Sequence, residues 1–233
     1  MKPFNRADYI SQQIPGYQYL CSSATDAIPY THLLSHGYGC CAGSITEVKT
    51  AASNGIKTND IYFTQPNKQP EQLEQVFGTC RLVSGSLEEM QMIDEIAAKN
   101  LADGYLEVIG IHVIPDEYND GNQYGFPVSE LAHLASSFRK LQHISIRGCF
   151  VEGAISSLQG DDLKRHFRRC YETAKQVSTA IPCGMSYVCF GSCTDALYQI
   201  SAQQPESQTE ICRAAEIVCH QNDTAFYAKL LIM

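Results

Sequence analysis

Long hydrophobic runs are missing from this chain: no stretch approaches the ~18 consecutive apolar residues that a membrane helix needs. The N-terminus, MKPFNRADYI, also lacks the basic-then-apolar layout of a secretory signal, so a cytoplasmic protein without membrane contact is expected. There is no CxxC pair. The nearest spacing, Cys189-x-x-x-Cys193, does not suit a zinc ribbon or a thioredoxin-type dithiol. Positive charge is scarce: 17 Lys and Arg against 25 Asp and Glu leave a formal charge of -8. Nucleic acid and anionic lipid are thereby disfavoured as partners, because both are held by clustered cations. The one basic cluster, Lys164, Arg165, His166, Arg168 and Arg169, follows Asp161 and Asp162 and reads as a solvated helix face. Dinucleotide binding is disfavoured too, since the first candidate strand runs into Cys21-Ser22-Ser23-Ala24-Thr25-Asp26, with no glycine to let backbone approach a pyrophosphate.

What is present is the material of one substantial core. The chain has 233 residues, 44% hydrophobic and 18% charged, and α/β barrels of this length often form a single domain. One domain over residues 1–233 is the simplest count, with the course of residues 201–233 left open and Ser201–Thr209 the one candidate linker. Eleven cysteines, an odd number, argue for free thiols in a chain of this size. Short β-rich runs at Tyr17–Cys21, Tyr38–Cys41, Asp60–Phe63, Arg81–Val83, Tyr105–Val113, His143–Phe150 and Met185–Phe190 are each followed by a helical stretch. That alternation is the sequence form of βα units and a parallel sheet. Periodicity alone leaves open whether the sheet closes as a barrel or stays doubly wound.

Helix starts carry their own signals. Ser44-Ile45-Thr46-Glu47 and Ser86-Leu87-Glu88-Glu89 both predict capping boxes, in which the Ser oxygen and the Glu carboxylate satisfy orphaned backbone amides. Between Ser86 and Leu101, Leu87, Met90, Ile93, Ile96, Ala97 and Leu101 fall at helical spacing on one face. Gly55 and Asn100 are the expected stops.

Three motifs then occur in order. Gly37-Tyr38-Gly39-Cys40-Cys41-Ala42-Gly43-Ser44-Ile45-Thr46-Glu47-Val48 resembles the G-x-G-F-D-x-A-S-x-x-E-I unit of the ornithine and diaminopimelate decarboxylases. Asp60 to Gln69 is similar to that family's strand-three segment ending N-P-x-K-Q, and Val83 to Met90 to its D-S-x-x-E-L. The resemblance covers roughly residues 15–155 and implies a TIM-type (β/α)8 barrel of the fold-type III pyridoxal-phosphate (PLP) enzymes, a fold shared with the alanine racemase N-terminal barrel. In that family a lysine ending the first strand forms a Schiff base to PLP, which serves as the electron sink. Here Y-A-V-K-x-N appears as Tyr19-Leu20-Cys21-Ser22-Ser23-Ala24, with Ser22 at the lysine. Cys41 stands at the family's aspartate, Gly110 at the arginine following strand five and Gln123 at the lysine of K-F-G. Phe150-Val151-Glu152-Gly153-Ala154 replaces F-H-V-G-S, so Val151 takes the place of the histidine that stacks on the pyridine ring. The phosphate turn G-G-G-F is echoed by Cys189-Phe190-Gly191-Ser192.

The last third admits two readings. Gly184 to Leu197 resembles a stretch of the small single-domain PLP-homeostasis barrels. Phe190 to Leu197, followed by Ala215 to Val218 and Thr224 to Tyr227, resembles instead the G-P-T-C-D-x-L-D and later segments of the decarboxylases' second domain, which would make Cys193 and Asp195 substrate-contacting. Closure of the sheet favours the single barrel.

The candidate catalytic residues are therefore Lys68, Cys193 and Asp195, and the candidate cofactor-binding residues are Ser22, Cys41, Glu152, Gly191 and Ser192. Lys68 is either a mouth residue or part of an exposed turn. Cys21, Cys41, Cys149 and Cys189, each near the carboxyl end of a strand, could with His112 bind a soft metal or supply a thiolate; as small buried hydrophobes they need no such role. No metal site is assigned. His36, His133, His143, His166 and His220 show no ligand spacing, and surface or capping roles suffice for them. Glu107 and Glu152 are candidate general acids or bases if they face the mouth. The expected function is that of a PLP-decarboxylase-like barrel with a degenerate cofactor site, holding no covalent cofactor and acting as a binding or partner subunit. PLP itself, an amino acid or polyamine-like ligand, and a homo- or heterodimer with a related barrel are implied by the resemblance. The alternatives are an enzyme with a rebuilt mouth and a decarboxylase or racemase using PLP without the usual lysine.

Overall fold

The structure, a computed structural model, describes the chain apart from residues 1–2, 23–27, 120, 122, 152–159, 182–183, 192 and 204. Eight parallel strands form its centre: β1 (Tyr17–Ser22), β2 (Gly39–Ala42), β3 (Ile61–Phe63), β4 (Arg81–Ser84), β5 (Glu107–Ile114), β6 (Ile144–Val151), β7 (Tyr187–Phe190) and β8 (Lys229–Ile232). They pair in the order β4-β3-β2-β1-β8-β7-β6-β5, and β4 also pairs with β5, so the sheet closes on itself as a (β/α)8 barrel. A two-residue bridge, Phe126–Pro127, extends the outer end of β5. The helices around the cylinder are α1 (Pro3–Gln13), α2 (Tyr30–His36), α3 (Ile45–Ser53), α4 (Pro70–Val76), α5 (Leu87–Asn100), α6 (Leu131–Phe138), α7 (Gly160–Ala180), α8 (Thr194–Gln203) and α9 (Pro205–Ala225). No helix among the described residues is long and apolar enough to cross a membrane.

The strand not foreseen is β8. It lies between β1 and β7, with Gln18 paired to Leu231 and Val188 to Leu230, and so completes the closure. The polar Ser201–Thr209 segment, expected as a linker, falls within α8 and α9 instead, residue 204 lying outside the described residues. Further along α9, Ile211, Ala215 and Val218 are buried in the outer core and anchor that helix there.

Side chains alternate across each strand, which divides the apolar residues into two layers. The larger lies between strands and helices and contains Cys21, Cys40, Phe63, Ile111, Cys149 and Phe190. The smaller fills the lumen with Leu20, Cys41, Tyr62, Val83, Phe150, Tyr187, Cys189 and Leu231. In β6 the register steps from Ile146 to Gly148, leaving exposed Arg147 as an extra residue opposite the Ile109/Gly110 step of β5. Such a bulge reverses which face later residues take. It turns Phe150 into the lumen and Val151 outward. Tyr187 fills the lumen at the level of two glycines: a Cβ on Gly148 would lie 1.9 Å from its ring, and one on Gly110 2.5 Å from its hydroxyl.

Both helix starts read as capping boxes form only half of one. Ser44 and Ser86 accept from the amides of Glu47 and Glu89, but Glu47 reaches back to the Gly43 amide, and Glu89 turns to Lys68. A reciprocal box forms where none was expected, between Gln69 and Gln72 at the start of α4.

Candidate functional site at the barrel mouth

In barrels of this kind the mouth is built where the carboxyl ends of the strands open. Ser22, the last residue of β1, follows inward-facing Leu20 by two positions and is in register with Cys41 of β2. The Cys41 thiol lies 3.2 Å from the Thr64 hydroxyl, which follows β3. Behind this polar edge the floor is aromatic. The His112 ring of β5 lies 5.6 Å from Phe150, tilted, and 5.3 Å from Tyr124, edge-on, and Tyr62 lies 5.6 Å from Phe150 and 5.3 Å from Tyr187. Tyr187 is buried, and burial pushes its phenol far above the usual range.

Lys68 is not on an exposed turn: it is fully buried. Its ammonium donates to Val83 O at 2.5 Å, to Glu89 Oε2 at 3.3 Å and to Tyr124 Oη at 3.4 Å, while its own amide donates to Glu89 Oε1 at 2.7 Å. Tyr124 also donates to Glu89 and accepts from the Gly85 amide at 2.8 Å. Burial lowers the Lys68 pKa, and the Glu89 carboxylate opposes that. The lysine thus ties the segment after β3 to β4 and α5, with Tyr124 as the lid on the network.

Cys193 and Asp195 follow β7, on the side of the cylinder opposite Lys68, so the three do not form one constellation. Cys193 is fully buried, donates to Phe190 O, and is pushed by burial up to about 12, which leaves no thiolate at neutral pH. Asp195 is exposed in the first turn of α8. Gly191 is buried, with its amide donating to Val151 O at 3.2 Å. Beyond residue 192, the amides of Cys193 and Thr194 donate to Met233 O at 2.7 and 3.2 Å. Glu152 and Ser192 lie outside the described residues.

Other expectations are corrected by which face a residue takes. Cys21 and Cys149 point to the outer layer while Cys41 and Cys189 point inward, so the four thiols do not converge. Glu107 opens β5 at the end away from the mouth, and burial raises its pKa. Gly110 lies inside β5, beneath Tyr187, rather than after the strand. His166 is buried on α7 with its Nε2 3.2 Å from the Cys170 thiol, and it is held at about 4 by burial and by Arg169. Lys164, Arg165 and Arg169 of the basic cluster meet Asp161 and Glu210, Asp162, and Glu117, respectively. Tyr124 and Thr64 were missed as site residues, although Gln123-Tyr124-Gly125 stands where the resemblance aligns K-F-G.

Several solved structures share this architecture. Diaminopimelate decarboxylase from Helicobacter pylori, complexed with L-lysine, superposes with a TM-score of 0.74 at 15% identity, over 99% of this chain and 60% of that one. Ornithine decarboxylase from Entamoeba histolytica gives 0.72 at 14% identity, over 99% and 62%. The arginine decarboxylase of Paramecium bursaria Chlorella virus bound to agmatine gives 0.70 at 13%, over 99% and 60%. At such identities the likeness is one of fold, and the chain spans about 60% of the length of these enzymes. No curated protein sequence matches it significantly. Residues 12–183 match the family model of the pyridoxal binding domain of pyridoxal-dependent decarboxylases, and the chain belongs to that family.

Proposed function

We propose that this chain is one barrel domain of the pyridoxal-decarboxylase kind that does not carry out imine chemistry and serves as a non-catalytic binding or partner subunit in amino-acid or polyamine metabolism. The observation that carries the reading is Ser22 at the end of β1, in register with Cys41. PLP supplies an electron sink once its aldehyde is held as an imine, and that requires an amine. The described residues do not fit it: the strand end offers a hydroxyl beside a thiol, and the amides of Gly191, Cys193 and Thr194 after β7 are already bonded to Val151 and Met233 carbonyls. No reaction step is therefore assigned to the cofactor here.

What the mouth offers is an aromatic floor of His112, Phe150 and Tyr62 edged by Ser22, Cys41 and Thr64. That combination suits a small ligand with a methylene stem and polar ends. Lysine and agmatine, bound by two of the structural neighbours, are of this type. A related barrel is the proposed partner, as the family resemblance implies.

The rebuilt-mouth alternative has one physical support in Lys68, whose burial lowers its pKa and so eases the proton loss that imine formation needs, against the opposing Glu89 carboxylate. Reaching its Nζ requires Tyr124 to leave Glu89 and Gly85. Incubation with PLP, borohydride reduction and peptide mass mapping separate the two readings. The expected result is no pyridoxyl-lysine and no carbon dioxide release from lysine, ornithine or arginine. A reduced adduct on Lys68, absent in Lys68→Met, would overturn the proposal.

A further inference from the structure

Away from the mouth, at the end of the barrel where the strands begin, α1 and α2 bring three metal-ligating side chains together. His32 and His36 are four residues apart and therefore on one face of α2, with ring centroids 3.9 Å apart. Asp8 of α1 faces both, its Oδ1 lying 2.9 Å from His32 Nε2 and 3.9 Å from His36 Nε2. One donor atom from each residue falls within 4.8 Å of the others. A tetrahedral ion at bond lengths of ~2.0–2.1 Å sets its ligands roughly 3.3 Å apart. The observed separations straddle that value.

The surroundings orient the donors for such a role. His36 Nδ1 lies 3.0 Å from His32 O and 2.9 Å from the Ser35 hydroxyl; with the proton on Nδ1 and donated to that carbonyl, Nε2 presents its lone pair towards Asp8. Tyr38, next in the chain after the left-handed Gly37, donates to Asp8 Oδ1 at 2.8 Å and lies 2.9 Å from the Ser11 hydroxyl. Backbone-bound histidine and hydroxyl-bound carboxylate are the outer-sphere contacts that fix metal ligands. The group is accessible, with side-chain exposures of 19% for His32, 42% for His36 and 25% for Asp8.

We propose that Asp8, His32 and His36 form a site for a divalent first-row ion of the zinc type. Two imidazoles and one carboxylate select against magnesium and calcium, which take oxygen ligands, and against copper(I), which prefers sulfur. With three protein ligands the ion keeps an open position for water. Because α1 precedes β1 and α2 precedes β2, the ion staples the two helices at the closed end of the cylinder, remote from the mouth.

The test uses the full chain, kept reduced, titrated with Co2+. The expected outcome is one equivalent bound with a visible ligand-field band and no thiolate-to-cobalt charge transfer, together with a melting temperature that climbs with Co2+ concentration. His36→Ala and Asp8→Asn are each expected to lose about tenfold or more in affinity, while His36→Ala melts like the parent without metal. Absence of saturable binding, unchanged affinity in both variants, or a charge-transfer band from the cysteines would each overturn the assignment.

Discussion

His166 illustrates how much one buried side chain can dictate. It is 1% exposed on α7, and burial together with the Arg169 charge holds it at about 4, below its ordinary 6.5. Between these values the unfolded chain binds the proton that the folded chain refuses, so stability rises with pH across that window and is lost as pH falls through it. The size of the effect is roughly 3 kcal/mol at about 1.4 kcal/mol per unit. Urea unfolding at pH 7 and pH 5 samples about 2 kcal/mol of it: His166→Gln is expected to show a shallower decline than the parent, and equal slopes would refute the assignment. The sequence showed a basic cluster here and nothing of this burial. Its helical phase hid the difference between His166, pointing inward, and Arg165, pointing out to Asp162.

The connection of the β3 segment, β4 and α5 through Lys68 and Glu89 joins three pieces of secondary structure by one buried ion pair. Removing one partner leaves the other charged and desolvated, which costs about 3–5 kcal/mol. Lys68→Met should destabilise by that amount in denaturant titration, and the double variant Lys68→Met/Glu89→Gln should recover much of it because no uncompensated charge is left. If the double variant is as damaged as the single, the pair is not the source. The three motifs that marked the family were readable in order because turn and cap chemistry is local. The fate of Glu89 was not, because whether a carboxylate returns to its own cap or meets a lysine from the preceding βα unit depends on how the units pack.

Closure of the cylinder rests on β8, whose Leu230, Leu231 and Ile232 are buried between β1 and β7. Deleting residues 228–233 would expose two strand edges with unpaired backbone groups, a template for association. Size-exclusion chromatography of that deletion should show aggregates and no cooperative melt, whereas a monomer with a sharp melt would mean that closure is dispensable. The alternating βα pattern, the first seven strands and the hydroxyl at Ser22 follow from the amino-acid order, since strand period, capping chemistry and side-chain identity are local properties. The course of the last strand, the bulge at Arg147 that turns Phe150 into the lumen, the seating of Tyr187 over Gly110 and Gly148, and the meeting of Asp8 with His32 and His36 do not. Each depends on contacts between segments distant in the chain, and a one-residue change of phase redirects every side chain beyond it.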